Sequence, residues 1–592
     1  MEVLKIRDLT FTYTKASGIT DDEKDVFAEK PALQNVSLSM DDGEFVVLCG
    51  RSACGKTTLL RNIKPSITPF GRREGEVLLW GRSIYPDSSK AGEKEQTERT
   101  DAEKIGYVFQ DPANQIVTDK VWHELAFGLE NLGTDRTVIR SRIAETAGFF
   151  GIESWLYKNT ADLSGGQKQL LNLASVVSMQ PDIIILDEPL AQLDPVSASE
   201  FMAVIRRINR ENGTGILMTD HRLEDVIPMA DRLLIMEDGR ITEDGEPEEI
   251  CRKIAEREDD LFLSMPAAFR TYTDICRVDR NAVTEKAPID VRAGRVWLES
   301  MFREHDPHGS RVYEMTGEKG TEKGDVLLKC KDVWFRYEKN SEDILKDFSL
   351  ELRRGDLCAV MGGNGTGKTT ALKVMKELVR PYRGKVSSEG KVSLLMQDPR
   401  DMFAEETVEK NLMRVAVAHA ENKEEAADRV NEILAFMEIE DIREKHPYDI
   451  SGGQQQKAAL AMVLITDPDV ILLDEPTKGI DAFYKKKLAR TLRELAGNGK
   501  AVLAVTHDIE FCGEYMDECA MLFDGKITSS GSVREVLSAN RFYTTAAARM
   551  SGRLFKGAVS AEDIKQAYMA AKKKEAGQET APETGRQTGK DE

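Results

Sequence analysis

What this sequence lacks narrows it first. No stretch approaches the roughly 18–20 consecutive apolar residues that cross a bilayer, and the opening MEVLKIRDLTFTY carries no apolar core of a secretory signal. A chain that is cytosolic, or peripheral to a membrane on its cytoplasmic face, is the expectation. Positive charge is also short: 82 Lys and Arg stand against 102 Asp and Glu, a formal net charge of −20. That argues against a protein whose main task is wrapping nucleic acid, which needs a basic surface. The eight cysteines include no C-x-x-C pair, so neither a zinc site nor a disulfide framework is indicated. Reduced, mostly buried thiols are expected.

What the chain does have is a repeat. Gln110 and Gln397, Ser164 and Ser451, and Glu188 and Glu475 each lie 287 residues apart, and His221 and His507 lie 286 apart. A period this long marks two whole domains rather than a solenoid unit. The 592 residues, 41% of them hydrophobic, leave room for two domains of about 200–250 residues. The expected layout is a first domain over 1–252, a connector over 253–324 and a second domain over 325–537. A helical C-terminal segment over 538–575 and a polar, disordered tail over 576–592 complete it.

Within each domain, continuous apolar runs (45–48, 183–186, 216–218; then 357–361, 470–473, 501–505) read as buried parallel strands separated by helices, an α/β pattern. Each domain closes with a strand–Asp-Gly–strand hairpin, RLLIMEDGRIT and AMLFDGKIT. From Lys56 to Gln110 is 54 residues, but from Lys368 to Gln397 only 29, and the excess includes a polar insertion over 87–103. The copies have diverged, so unequal roles are expected.

Gly50-Arg-Ser-Ala-Cys-Gly55-Lys56-Thr57 and Gly362-Gly-Asn-Gly-Thr-Gly367-Lys368-Thr369 both fit the phosphate-loop pattern, each after a strand and before a helix. Glycines let backbone N–H groups curl around phosphate oxygens, and the helix adds its positive end. Lys56 and Lys368 suit the β and γ phosphates, while the hydroxyls of Thr57 and Thr369 suit Mg²⁺. Asp187-Glu188 and Asp474-Glu475 end apolar strands as paired acids: Asp187 and Asp474 suit the metal's water shell, Glu188 and Glu475 a general base on the attacking water. Cys54 sits inside the first loop, where oxidation would interfere with nucleotide.

LSGGQ (163–167) and ISGGQ (450–454) then resemble the signature of ATP-binding-cassette (ABC) ATPases, in the right order twice. The resemblance implies two P-loop cassettes, each with a mainly parallel sheet core, an antiparallel β part and a helical subdomain. It implies head-to-tail pairing within one chain, with two ATP molecules sandwiched between. Ser164, Gly165, Gly166 and Gln167 would complete the Lys368 site, and Ser451, Gly452, Gly453 and Gln454 the Lys56 site. By the same resemblance Ser52, Thr58, Asn364, Gly365 and Thr370 belong to the nucleotide cradle, and Tyr13 and Tyr337 stack on adenine. Gln110 and Gln397 sense Mg²⁺ and the γ-phosphate, His221 and His507 are switch histidines, and Asp194 and Asp481 couple one site to the other. Two departures are mild: Ala53 stands where glycine is usual, and Ile450 where leucine is.

FQDPANQIVTDKVWHELAFGLENLG (109–133), TDHRLEDV (219–226) and APIDVRAGRVWL (287–298) resemble the ATPase subunits of energy-coupling-factor (ECF) importers, which take up vitamins or transition-metal ions. That implies two membrane partners, a scaffold subunit and a substrate-binding subunit. Ile116, Val117, Val121 and Trp122, with Met402 and Phe403, would line grooves for the scaffold. Other readings stay open: a soluble tandem ABC protein acting on the ribosome, and a fused ATPase of another importer class. Against the ribosomal reading, the connector has nearly balanced charge, and Pro266, Pro288 and Pro307 interrupt any long helix.

Overall fold

The computed structural model describes residues 1–14, 30–85, 100–257, 260–302, 313–314 and 324–579. The chain divides into two compact units. One contains Met1–Met265, Lys323–Asp508 and Asp517–Ser530; the other contains Pro266–Glu322, Ile509–Met516 and Gly531–Glu592. The first repeat and most of the second lie in the first unit; Ile509–Met516 and the end of the second repeat from Gly531 onward belong to the other.

Each repeat is built on a six-stranded sheet with the same strand order. In the first the order is Arg240–Gly245, Arg232–Glu237, Phe45–Cys49, Gly215–Thr219, Ile183–Asp187, Ile105–Val108. In the second it is Lys526–Ser532, Glu518–Phe523, Leu357–Met361, Ala501–Thr506, Val470–Asp474, Val392–Leu395. Only the terminal hairpin is antiparallel in the first sheet; the other pairs are parallel. Every residue of Phe45–Cys49, Ile183–Asp187 and Val470–Asp474 is buried, because both sheet faces are covered, and so these strands read as unbroken apolar runs. The closing hairpins turn at Asp238-Gly239 (φ 45° and 80°) and Asp524-Gly525 (φ 47° and 75°). Two successive positive φ values give the turn twist that matches the flanking strands.

An antiparallel sheet accompanies each core: Leu33–Asp41, Glu2–Tyr13, Gly71–Leu79 and Arg82–Ser83 in the first repeat, Leu345–Arg353, Val326–Phe335 and Arg383–Ser388 in the second. Here burial alternates along the strand, the mark of a sheet with one covered face. Three helices per repeat (Val121–Asn131, Arg136–Phe150, Gly165–Ser178; Val408–Val417, Lys423–Phe436, Gly452–Leu464) form the remaining layer. Of the polar insertion expected over 87–103, residues 87–99 lie outside the described residues and 100–103 begin a short helix.

The second unit is helical. Ala267–Val278 and Val291–Ser300 pack with Ala546–Ser551 and Ala561–Glu579. The Trp297 indole donates to the Ala282 carbonyl at 3.0 Å, and the Tyr568 hydroxyl donates to the Asp279 carboxylate at 2.5 Å. Pro266 precedes the first of these helices, where its missing N–H costs nothing. Of the tail expected beyond 575, residues 576–579 continue the last helix and the rest lie outside the described residues.

Candidate functional site

Each glycine-rich loop joins a fully buried strand to a helix: Phe45–Cys49 to Lys56–Asn62, and Leu357–Met361 to Lys368–Met375. Gly55 (φ 109°) and Gly367 (φ 100°) are left-handed, and a Cβ there would come within 2.7 Å of the Ala32 carbonyl and 2.9 Å of the Ile344 carbonyl. Only glycine fits. Ala53 adopts φ 64°, beside 78° for Gly365 at the matching position, so this departure from glycine is absorbed as backbone strain and the loop keeps its path. Lys56 Nζ donates to the Gly50 and Arg51 carbonyls at 2.9 and 3.0 Å, and Lys368 Nζ donates to those of Gly362 and Gly363, both at 3.0 Å. Cys54 is buried beneath its loop, and burial pushes its thiol up, away from the reactive thiolate. Tyr13 bonds Thr58 at 2.8 Å and Tyr337 reaches Thr370 at 3.5 Å, both rings exposed beside the helix that follows the loop.

The acid pairs stand at the strand ends facing these loops. Thr57 donates to Asp187 at 3.1 Å, and Tyr107 and Thr219 donate to the same carboxylate at 3.0 and 3.2 Å. Burial, reinforced by the Glu188 charge, raises Asp187 above the usual carboxylate range against those hydroxyls. Burial raises Asp474 to about 6 although Thr369 opposes it, and Asp474 Oδ1 is buried with no hydrogen-bond partner among the described residues. Glu188 and Glu475 adopt φ 48° and 50°, strained for a side chain this large, which turns their carboxylates out of the strand. Gln110 donates to Glu188 at 2.8 Å, and His221 Nε2 lies 2.9 Å from its other oxygen. Burial pushes Glu188 up, but His221 and Lys56 outweigh it and hold it low. In the second site His507 Nδ1 lies 2.9 Å from Glu475 but is poorly angled for a hydrogen bond; the His507 backbone N–H donates to the same oxygen at 3.2 Å. Among the described residues Gln397 makes no bond to Glu475 matching that of Gln110.

The repeats meet head to tail. The Asp481 carboxylate of the second repeat accepts from the Ser52 N–H in the first repeat's loop at 2.9 Å. Reciprocally, Asp194 accepts from the Asn364 N–H at 3.0 Å. Each aspartate also caps its own helix, through Tyr484 N–H and Ser197 N–H, both at 2.9 Å. Ser164 and Ser451 start helices with reciprocal caps from Gln167 and Gln454, which leaves the N–H groups of Gly165, Gly166, Gly452 and Gly453 in the first turn.

Residues 33–191 and 345–478 match the family model described as ABC transporter. A relative from Bacillus thuringiensis subsp. konkukian, described as "Putative ABC transporter ATP-binding protein", is 38% identical over 553 residues, covering 90% of this chain and 95% of its own. The chain belongs to the ABC transporter ATP-binding proteins. It is an ATP-binding protein and ATP hydrolase with two cassettes in one polypeptide. A Bacillus subtilis relative described as "Putative HMP/thiamine import ATP-binding protein" is 30% identical over 554 residues, covering 91% of this chain and 93% of its own. The solved structure titled "RNase-L Inhibitor", 19% identical, shares the tandem-cassette fold at a TM-score of 0.55 over 90% of this chain and 92% of its own.

The loops after Gln110 and Gln397 divide the apolar residues expected to face a partner. Val117 and Trp122 of the first cassette are exposed, at 62% and 37%, and the bare Tyr157 ring belongs to the strand of chain that bonds Trp122 through Leu156. Val121 is fully buried and Phe403 nearly so. These two pack inward and are corrected from the groove set: each sits where its segment turns toward the helical layer. Sequence reasoning missed what shapes these loops. Buried Glu124 accepts from Val117 N–H, Thr118 N–H and the Thr118 hydroxyl at 3.2, 2.9 and 2.8 Å. Asn411, 287 residues later, accepts from Ala404 and Glu405 N–H at 2.8 and 3.0 Å. The repeat offset was the signal that could have found them.

Proposed function

We propose that the chain energises an ECF-type membrane importer from the cytoplasmic face, through two composite ATP sites that close together. The reciprocal bonds from Asp481 to the Ser52 amide and from Asp194 to the Asn364 amide carry the two-site part of this reading. In each site the loop amides and lysine bind phosphate, the partner cassette's signature serine and glycines close over it, and Tyr13 or Tyr337 stacks on adenine. Glu188, steadied by Gln110 and His221, orients water and accepts its proton; Glu475 with His507 does so in the other site. Thr57 with Asp187, and Thr369 with Asp474, would hold Mg²⁺ alongside Gln110 and Gln397. The unpartnered Asp474 oxygen, and the assignment of one carboxylate of each pair to the metal, suit a cation held largely by phosphate and water. Mg²⁺ there would offset the negative charge that builds on the phosphates.

Closure moves the loops after Gln110 and Gln397, and the exposed Val117, Trp122 and Tyr157 offer the apolar surface on which a scaffold subunit would ride. No helix among the described residues is long and apolar enough to cross a membrane. The Bacillus subtilis likeness favours a vitamin or vitamin precursor as cargo. Isolation of the chain from gently solubilised native membranes, with partners identified by mass spectrometry, tests this. Stoichiometric small polytopic membrane proteins support it; ribosomal proteins in their place would overturn it.

A further inference from the structure

The two phosphate loops differ at their second residue, and the difference reaches across the cassette boundary. In the first loop this residue is Arg51; in the second it is Gly363, with no side chain. The Arg51 guanidinium lies over the Phe483 ring, 4.8 Å from its centroid, and ion-pairs with Asp260 at 2.6 Å. Phe483 belongs to the second cassette, two residues after Asp481, which already grips the Ser52 amide. Asp260 opens the short turn Asp260–Ser264 that follows the first cassette and packs on the second cassette's helix Ala482–Gly497. Arg51, Asp260 and Asp481 with Phe483 thus enclose one small recess beside His221. In the other site the residues at the matching sequence positions are Gly363 and Val196, the latter 46% exposed and without a ring to stack on.

We infer that Arg51, Asp260 and Phe483 form a latch between the cassettes at the Lys56 site alone, so that this site opens last and releases its nucleotide slowly while the Lys368 site opens first. Arg51 is a positioning residue: it acts through the partner cassette and needs no contact with substrate. A guanidinium suits the task, because it can stack on a ring and pair a carboxylate together. Both Arg51 and Asp260 are about half exposed, so the ion pair is partly screened and each contact alone is modest. The two together slow opening by about tenfold. The inference rests on the reading that both loops hold ATP, and the experiment separates the two.

The probe is a fluorescent N-methylanthraniloyl derivative of a non-hydrolysable ATP analogue, with release from the full chain followed by stopped flow in the presence of Mg²⁺. Two phases are expected, the slow one absent in Lys56→Ala and the fast one absent in Lys368→Ala. Arg51→Gly should speed the slow phase about tenfold and leave the fast phase alone, and Arg51→Lys should keep most of the slowness. Asp260→Asn, which leaves the phosphate loop untouched, should speed the slow phase about threefold and remove most of its salt dependence. A slow phase unchanged in both Arg51→Gly and Asp260→Asn would overturn the latch. Failure of the unmodified chain to bind the probe would overturn the ATP reading and the latch with it.

Discussion

Replacing Asp481 by alanine removes two bonds of different kinds. One caps the helix Ala482–Gly497 through the Tyr484 N–H, which is worth about 1 kcal/mol. The other is a charge-assisted bond to the Ser52 N–H in the opposing loop, worth about 1.5–3 kcal/mol. Asp481 is 6% exposed, so solvent takes little from either. The cap belongs to one cassette and is present whether the cassettes are apart or together; the loop bond is made only when they meet. The cap therefore cancels from the closure equilibrium, and the loop bond sets a loss of roughly 10- to 150-fold in the ATP affinity of the Lys56 site. Asp481→Asn has one carbonyl oxygen where the Tyr484 and Ser52 amides each bond a different carboxylate oxygen, so with the cap kept an NH2 group faces the Ser52 amide and the loss of affinity should approach that of alanine. The assay is equilibrium ATP titration of the full chain with the Lys368 site disabled by Lys368→Ala. Burial pushes the Asp481 carboxyl up, but the Tyr484 and Ser52 amides outweigh it and hold it below the usual range. Its contribution is then fully present above about pH 4 and lost as pH falls through the lower folded value. ATP affinity within twofold of normal in Asp481→Ala, with only the cap's loss in thermal stability, would refute the reasoning.

Three further outcomes follow from the same geometry. Ala53→Gly removes a left-handed alanine and adds backbone freedom to the unfolded chain; the two nearly offset, so thermal unfolding should shift by no more than about 1 kcal/mol in either direction while ATP binding is retained. Glu124→Ala strands two amides and a hydroxyl, and should cost about 2–4 kcal/mol and disorder the loop after Gln110, read as accelerated hydrogen exchange at Val117 and Thr118. Asp474, raised to about 6, protonates as pH falls through that value and would lose its hold on the cation, so Mg²⁺-supported ATP binding at the Lys368 site should weaken below about pH 6; the sign is opposite for stability, since a raised carboxyl stabilises the fold as pH falls from 6 toward 4. Calorimetric Mg²⁺-ATP titration and thermal unfolding across that range check both signs.

The phosphate loops, the acid pairs and the parallel strands were legible because backbone geometry dictates them. A glycine at φ 100° next to a neighbouring carbonyl admits no substitute, and a strand covered on both faces has to be apolar throughout. Faces were harder to read. Val121 and Trp122 are adjacent in sequence and both apolar, yet one is buried and the other partly bare, because a helix start assigns neighbours to different sides. Glu124 and Asn411 escaped because a carboxylate and an amide perform the same task, accepting two amide hydrogens, and residue identity conceals it. The bonds from Asp481 to Ser52 and Asp194 to Asn364 join residues 429 and 170 positions apart, and no local pattern encodes such a pairing. Only the family resemblance pointed to them.

Two working sites in one chain are tested most directly by the ATP turnover of Glu188→Gln and Glu475→Gln, each made singly. Both changes preserve shape and remove the proposed base, and because one closure of the cassettes serves both sites, each should slow turnover by about 100-fold or more. Turnover near normal in either variant would contradict the two-site account.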